Sequence, residues 1–351
     1  MVSKKNVLVT GGSGFIGTHL IRFLLSKGFI VVNFDMIPPE NSQENVRYVK
    51  GDIVSKKSLG NAFSRYGPFK TVFHLAAALP NKKLTDELLL KTNREGTRNV
   101  ITLAAKNKVK SFVFTSSNTI YGIPPHNPVS ENFAAKPLEI YGKSKLLAEE
   151  EAKKFSKDIA IQIFRCPVVS GIGRLGLQAI LFEFISENKN IYVLGKGDNK
   201  YQFIDVEDLC NALLKASEMK GFEIYNIGAD EIKTLKQIYQ AVIKHARSKS
   251  NIVSIPKSGA ISILSLFDKL HLSPLGVYQY TMISRSLYQD TTKIQKKLAW
   301  RPTKTNTDLF VENYNWYINN KQFFKKVGES KLSDNRSLPK LGIIKVLKFL
   351  S

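Results

Sequence analysis

Between Asn6 and Arg165, short apolar runs alternate with stretches of helical periodicity. Asn6 to Thr10, Phe29 to Phe34, Val46 to Val49, Thr71 to Ala77, Ser111 to Ser117 and Ala160 to Arg165 are rich in Val, Ile and Phe, with little apolar–polar alternation. Strands buried on both faces read this way, and they belong to parallel sheets covered by helices. The intervals predict helices over Phe15 to Lys27, Ser55 to Tyr66, Asp86 to Lys106 and Glu139 to Lys157. This alternation predicts an α/β fold built on a doubly wound parallel sheet.

After residue 170 the pattern loosens. Strands are expected at Ile191 to Leu194 and Glu223 to Ile227, with helices at Glu207 to Glu218 and Leu235 to Lys249. We read residues 171–321 as a smaller lobe whose elements partly return to the sheet, with Ile261 to Leu272 favoured as a core helix over a second membrane contact. Residues 322–351 stand apart as a basic tail. On a helix, Ile343, Val346, Leu347 and Leu350 would face one way and Lys345 and Lys348 the other, following Lys325, Lys326, Lys331, Arg336 and Lys340. Such a segment fits either the surface of an anionic membrane or a docking site on the body of the protein.

Composition narrows the setting more than the function. The 52 Lys and Arg against 29 Asp and Glu leave a formal charge of +23, which favours an anionic partner without choosing among phosphorylated substrate, acidic membrane and nucleic acid. No nucleic-acid recognition motif is present, and a lysine-rich proteome explains the excess equally well. Two cysteines, Cys166 and Cys210, exclude a disulfide framework and suit a reducing compartment. The five histidines never fall at metal-ligand spacing, so no metal site is expected. The N-terminal apolar run is too short for a signal peptide, and no run reaches the roughly 18 residues of a membrane span, so the expected location is the cytoplasm.

The candidate chemistry begins in TGGSGFIG, where Gly11, Gly14 and Gly17 lie between a strand and a helix. Gly11 permits a tight turn, Gly14 lets the backbone approach a pyrophosphate, and Gly17 lets the helix pack closely. The helix N-terminus, with Phe15 and Ile16 in its first turn, would present free N–H groups to the phosphates. Asp35, ending VVNFD, stands where a carboxylate accepts from ribose hydroxyls and repels a 2′-phosphate, which favours NAD over NADP. Asp52, Leu75, Ala76 and Ala77 lie where a dinucleotide would cross the carboxyl edge of the sheet.

Two further segments converge on that edge. Tyr141 and Lys145 in YGKSK share a helix face, and a cation beside a phenol favours the phenolate needed of a general base. Ser117 closes the strand FVFTSS, at the edge where ligands bind in open α/β sheets. Each has a plain alternative, a chance helical pair and a turn serine; their conjunction with the glycine loop argues for a hydride-transfer site.

TGGSGFIG, Asp35, GDI, HLAA, TNREGT, SSNTIYG, YGKSK and FIDVEDL together resemble the extended short-chain dehydrogenase/reductase family, in its NAD-dependent sugar epimerase/dehydratase branch, over residues 5 to about 320. The resemblance implies a Rossmann-like NAD-binding domain over residues 1–170 and a mainly substrate-binding lobe over 171–321. It makes Ser117, Tyr141 and Lys145 the catalytic triad, with Lys145 also on the nicotinamide ribose. It places Asp52 and Ile53 at adenine, Asn93 in the cofactor-side helix and Pro167 beside the nicotinamide. It also implies a homodimer through a four-helix contact that includes the helix of Tyr141.

The departures from the family pattern are informative. Dehydratases of this family carry Asp-Glu after the Ser/Thr; here Asn118 and Thr119 stand there, and neither titrates. Val168 replaces a frequent Asn, and Lys200 and Tyr201 stand near the place of a diphosphate-gripping Arg, a charge that Lys200 or Arg174 could supply. The expected activity is NAD-dependent epimerisation of a nucleotide-activated sugar for surface polysaccharide or glycolipid synthesis. The alternatives are a membrane-surface dehydrogenase or reductase acting on a hydroxyl of a lipid, sterol-like or lipid-linked sugar substrate, and an NAD-binding protein without turnover.

Overall fold

The computed structural model describes residues 6–41, 43–80, 84–176, 178–256, 282 and 285–321. The helix expected at Ile261 to Leu272 and the basic tail, 322–351, lie outside the described residues.

Seven parallel strands form the central sheet. They are β1 (Asn6–Thr10), β2 (Ile30–Asp35), β3 (Val46–Lys50), β4 (Thr71–His74), β5 (Ser111–Ser117), β6 (Ala160–Cys166) and a strand from the second half, Phe222–Asn226. Their spatial order is β3-β2-β1-β4-β5-β6 followed by Phe222–Asn226, a doubly wound arrangement with its switch point between β1 and β4. All seven residues of β5 and all four of β4 are buried, which accounts for their unalternated sequences. Helices α2 (Lys56–Tyr66), α4 (Gly96–Lys106) and α5 (Ile140–Lys153) cover one face. On the other, α1 (Phe15–Ser26) packs beside α7 (Val206–Ala216) over Val7, Val9, Phe73 and Phe164.

The remaining helices and strands, apart from α3 in the first half, belong to the second half or its approach. In chain order these are α3 (Asp86–Leu90), β7 (Val168–Ser170), α6 (Gln178–Ser186), β8 (Ile191–Leu194), β9 (Phe203–Asp205), the sheet strand Phe222–Asn226 as β10, α8 (Leu235–His245), β11 (Ile252–Ile255), α9 (Thr292–Leu298) and α10 (Asn306–Asn319). Phe182, Ile238, Val242, Phe310, Tyr314 and Tyr317 form a separate apolar core between α6, α8 and α10. β10 pairs in parallel with β6, Phe222 opposite Ile161 through Asn226 opposite Arg165, so the lobe does return a strand to the sheet.

Some elements differ from the sequence reading. The helix expected over Asp86 to Lys106 is interrupted by a π-helical turn, Lys91–Glu95, in which Asn93 is turned into the interior. β4 stops at His74, so Leu75, Ala76 and Ala77 run beyond the sheet edge. Helices α6, α9 and α10 were not anticipated, because their apolar faces pack on the lobe and on α7 and show only a weak period along the chain.

Candidate active site

The turn from β1 to α1 is built for close approach. Gly11 has φ +73°, its N–H donates to the Phe34 carbonyl at 3.0 Å, and an added Cβ would lie 2.6 Å from the Ala76 nitrogen. A Cβ at Gly17 would lie 2.2 Å from the Gly11 carbonyl oxygen, so α1 presses onto the turn itself. At Gly14 only that same oxygen comes near, at 3.2 Å, leaving its outer side open. Gly14 caps α1 with no side-chain hydrogen bond, and the first turn, with Phe15 and Ile16, holds no acidic residue. Those N–H groups therefore face the carboxyl edge of the sheet with the positive end of the helix dipole behind them.

Asp35 ends β2 beside this turn. Its carboxylate accepts from the Ser13 N–H and the Ile37 N–H, both at 3.0 Å, tying the glycine loop to the next strand. Asp52 accepts from the Val54 N–H at 2.9 Å, while Ile53 is buried against Gly96. This set fits a dinucleotide: a glycine cradle that any Cβ would fill, an uncapped helix end for phosphates, and a carboxylate 22 positions beyond Ser13 for a ribose.

A polar chain joins this cradle to α5, the helix of Tyr141 and Lys145. Thr97 Oγ1 donates to the Asn93 carbonyl at 2.6 Å, so it must accept from His74 Nε2 at 2.9 Å. That fixes the His74 tautomer and leaves Nδ1 to accept from Thr10 Oγ1 at 2.7 Å. The Asn93 side chain bonds Ala78 through both its N–H and its carbonyl, and donates to Ser144 Oγ at 2.8 Å. Ser144 in turn donates to the Tyr141 carbonyl at 2.7 Å. Buried His74 holds its proton poorly, with its pKa pushed down to about 3, first by desolvation and then by Lys145.

Ser117, Tyr141 and Lys145 come from two elements that meet at the same edge. Ser117 Oγ accepts from the Thr119 hydroxyl at 3.0 Å and the Thr119 N–H at 3.2 Å. Glu139 caps α5, its two oxygens each 2.7 Å from the N–H groups of Tyr141 and Gly142. The Tyr141 phenol is pushed well above its ordinary range, chiefly by burial and also by Cys166 and Glu139; Arg174 is the cation that opposes this. Lys145 is only 3 % exposed, and its ammonium lies 4.4 Å from the centre of the Phe114 ring. Burial lowers its pKa to about 8, against the opposing pull of Cys166 and Glu149.

Tyr141 and Lys145 share α5, as their spacing predicts, and the Lys145 ammonium also has an aromatic partner. Lys145 sits over Phe114, a cation–π contact that keeps a desolvated ammonium in apolar surroundings. Cys166, opposite Ser117 in the β5–β6 register, was not singled out from the sequence, although it lies next to Pro167, which is buried. Burial pushes its thiol up to about 12, against Lys145. Asn118 is buried, and neither its Nδ2 nor the Ser116 hydroxyl has a hydrogen-bond partner among the described residues.

The other substrate candidates lie in two places. Arg174 stands near Tyr141, its guanidinium 5.5 Å from the Phe15 ring. Lys200 is exposed and Tyr201 half-buried at the entry to β9, Lys200 N–H donating to Ser286 Oγ at 3.0 Å. Beside them a cavity of about 400 Å³ opens between Ile123, Pro124, Asn127, Asp198, Asn199 and Arg285. Arg285 carries no sequence signal, since it is brought there from more than 80 residues beyond Asn199. Val168 is 45 % exposed on the same edge. Among the described residues no group of His, Cys, Asp and Glu could hold a metal, and no helix is long and apolar enough to cross a membrane.

The fold and the dinucleotide cradle define an enzyme of the extended short-chain dehydrogenase/reductase type. The chain matches the NAD dependent epimerase/dehydratase family over residues 7–228, and it belongs to that family, with NAD as its cofactor. It is 39% identical over 331 residues to an uncharacterised protein of Sinorhizobium fredii, covering 93% of this chain and 82% of that one. It is 26% identical to a bifunctional UDP-glucose 4-epimerase and UDP-xylose 4-epimerase of Pisum sativum, covering 91% and 97%. Among solved structures it resembles UDP-glucose 4-epimerase from Thermotoga maritima, with TM-score 0.74, 24% identity and coverage of 90% and 99%.

Proposed function

We propose that the protein is an NAD-dependent epimerase of a nucleotide-activated sugar, working in surface polysaccharide or glycolipid synthesis. The observation that carries this reading is the composition of the edge around Ser117. A serine and a tyrosine suited to hydride chemistry stand there, while the next two positions, Asn118 and Thr119, hold nothing that titrates. Elimination of water needs an acid and a base at those places; oxidation and reduction of one carbon does not.

In this reading Tyr141 removes the proton of a sugar hydroxyl and later returns it, and Ser117 Oγ hydrogen-bonds the same oxygen as it becomes a carbonyl. NAD, held by the glycine turn and Asp35, would when bound supply reversible hydride exchange at that carbon. Between the two steps the keto sugar rotates, so return of hydride to its other face inverts the centre. Lys145, which is buried, and Arg174, which is partly buried, supply the positive field that a phenolate requires. The sugar nucleotide occupies the cavity flanked by Lys200 and Arg285. Similarity to the Pisum sativum enzyme along nearly its whole length supports a UDP-sugar over a lipid hydroxyl.

The test is incubation of the purified protein with a panel of uridine- and thymidine-diphosphate sugars, read by mass and by stereochemistry. Inversion of one centre without net NADH is expected. Net NADH with a lipid-borne hydroxyl, and no inversion across the panel, would reject it.

A further inference from the structure

The loop of residues 171–176, between β7 and α6, is docked on the start of α1. His19 on α1 lies with Nε2 3.3 Å from the Ile172 carbonyl oxygen and Nδ1 2.5 Å from a Glu207 oxygen on α7. Phe15, one turn earlier, packs edge-on against His19 with ring centres 5.1 Å apart. Above Phe15 stands the Arg174 guanidinium, its backbone N–H held 3.2 Å from the Gly171 carbonyl. Gly173 and Gly176, with φ +93° and +53°, flank it in conformations that other residues rarely adopt.

Arg174 makes no ion pair with a carboxylate among the described residues, although burial lowers its pKa and the titrating group that faces it is Tyr141. A guanidinium partly withdrawn from water and without a carboxylate partner gains when a ligand supplies the anion. Phe15, beneath the guanidinium, is the first residue of α1, whose N-terminus is uncapped and free of acidic residues. We infer that Arg174 is a further cofactor residue: reaching over Phe15 from the second half of the chain, it clamps the pyrophosphate of NAD against the start of α1. Its planar fork suits two phosphate oxygens at once, which a lysine cannot match. The clamp also sets the division of labour at this edge, since a cation engaged with the pyrophosphate still faces Tyr141.

This inference rests on the cofactor site and not on the choice of sugar, so it is tested by binding alone. Full-length protein and the variants Arg174→Gln and Arg174→Lys are titrated calorimetrically with NAD, ADP, adenosine and UDP. Arg174→Gln is expected to weaken NAD and ADP about tenfold to a hundredfold, with adenosine and UDP unchanged and Arg174→Lys intermediate. Loss confined to UDP assigns the guanidinium to the diphosphate of the substrate and overturns the clamp. Unchanged affinity for all four, or equal loss for all four including adenosine, also overturns it. Because no turnover is read, a protein inactive on the whole sugar panel leaves this test intact.

Discussion

Lys145 faces Phe114, with its ammonium 4.4 Å from the ring centre, and Phe114 in turn stacks on His74 with ring centres 5.3 Å apart. The catalytic helix and the strand it covers are thus joined through an aromatic ring to a buried imidazole. An ammonium in that position is tolerated at neutral pH at a cost in stability, because burial has lowered its pKa to about 8.

Lys145→Met therefore raises the thermal midpoint at pH 7 by a few degrees while abolishing turnover. The sign follows from proton binding. Between about pH 8 and the unfolded value near 10.5 the unfolded chain holds a proton at Lys145 that the folded chain has released, so wild-type stability rises with pH across that window. The advantage of the variant shrinks over the same interval in paired melting curves, and a constant gap would contradict the assignment.

Tyr141→Phe keeps the ring and removes the phenol. Turnover should fall by roughly 10²–10⁴-fold, the usual worth of a positioned acid–base group. NAD affinity by calorimetry should stay near wild type. Retained turnover would transfer the role of base to another group.

His74→Gln keeps a donor and an acceptor in the chain from Thr10 to Asn93 and removes the titration. In the folded protein His74 stays neutral down to about pH 3, whereas unfolded histidine protonates near 6.5. Wild-type stability thus falls as pH drops below 6.5, by about 1.4 kcal/mol per unit from this residue alone. The variant is less stable at pH 7, and urea denaturation should show the gap closing toward pH 5.

Gly11→Ala tests the cradle. A methyl group there meets the Ala76 backbone nitrogen at 2.6 Å, and the φ of +73° adds strain of about 1–3 kcal/mol. NAD binding should be lost before the fold is, with far-ultraviolet circular dichroism unchanged at 20 °C.

The strands β1, β2, β4, β5 and β6 were legible because burial on both faces makes them mostly apolar, whereas β3, partly exposed at the sheet edge, shows only its Val and Tyr residues. The glycine cradle was legible because steric exclusion at Gly11 and Gly17 leaves one residue type that fits. Asn93 was placed correctly in its helix, yet nothing in TNREGT announces a π turn. The turn brings that side chain to Ala78 and Ser144, partners 15 and 51 positions away. Spacing puts Lys145 on the helix face of Tyr141; that its ammonium also lies over Phe114 is decided by packing and is not written in YGKSK. Arg285 was unreadable for the same reason, its place being set by contacts from distant parts of the chain.

The strand β10 bears on how the protein is made. Among the described residues the edge of β6 is covered by residues 222–226, and the face under α1 is sealed by Leu209, Leu213 and, later still, Trp300. A chain emerging from a ribosome has therefore synthesised its glycine loop, Ser117, Tyr141 and Lys145 long before it holds the pieces that close the core around them. The sheet that carries the glycine loop thus takes its last strand, and part of the cover of its α1 face, from the second half of the chain.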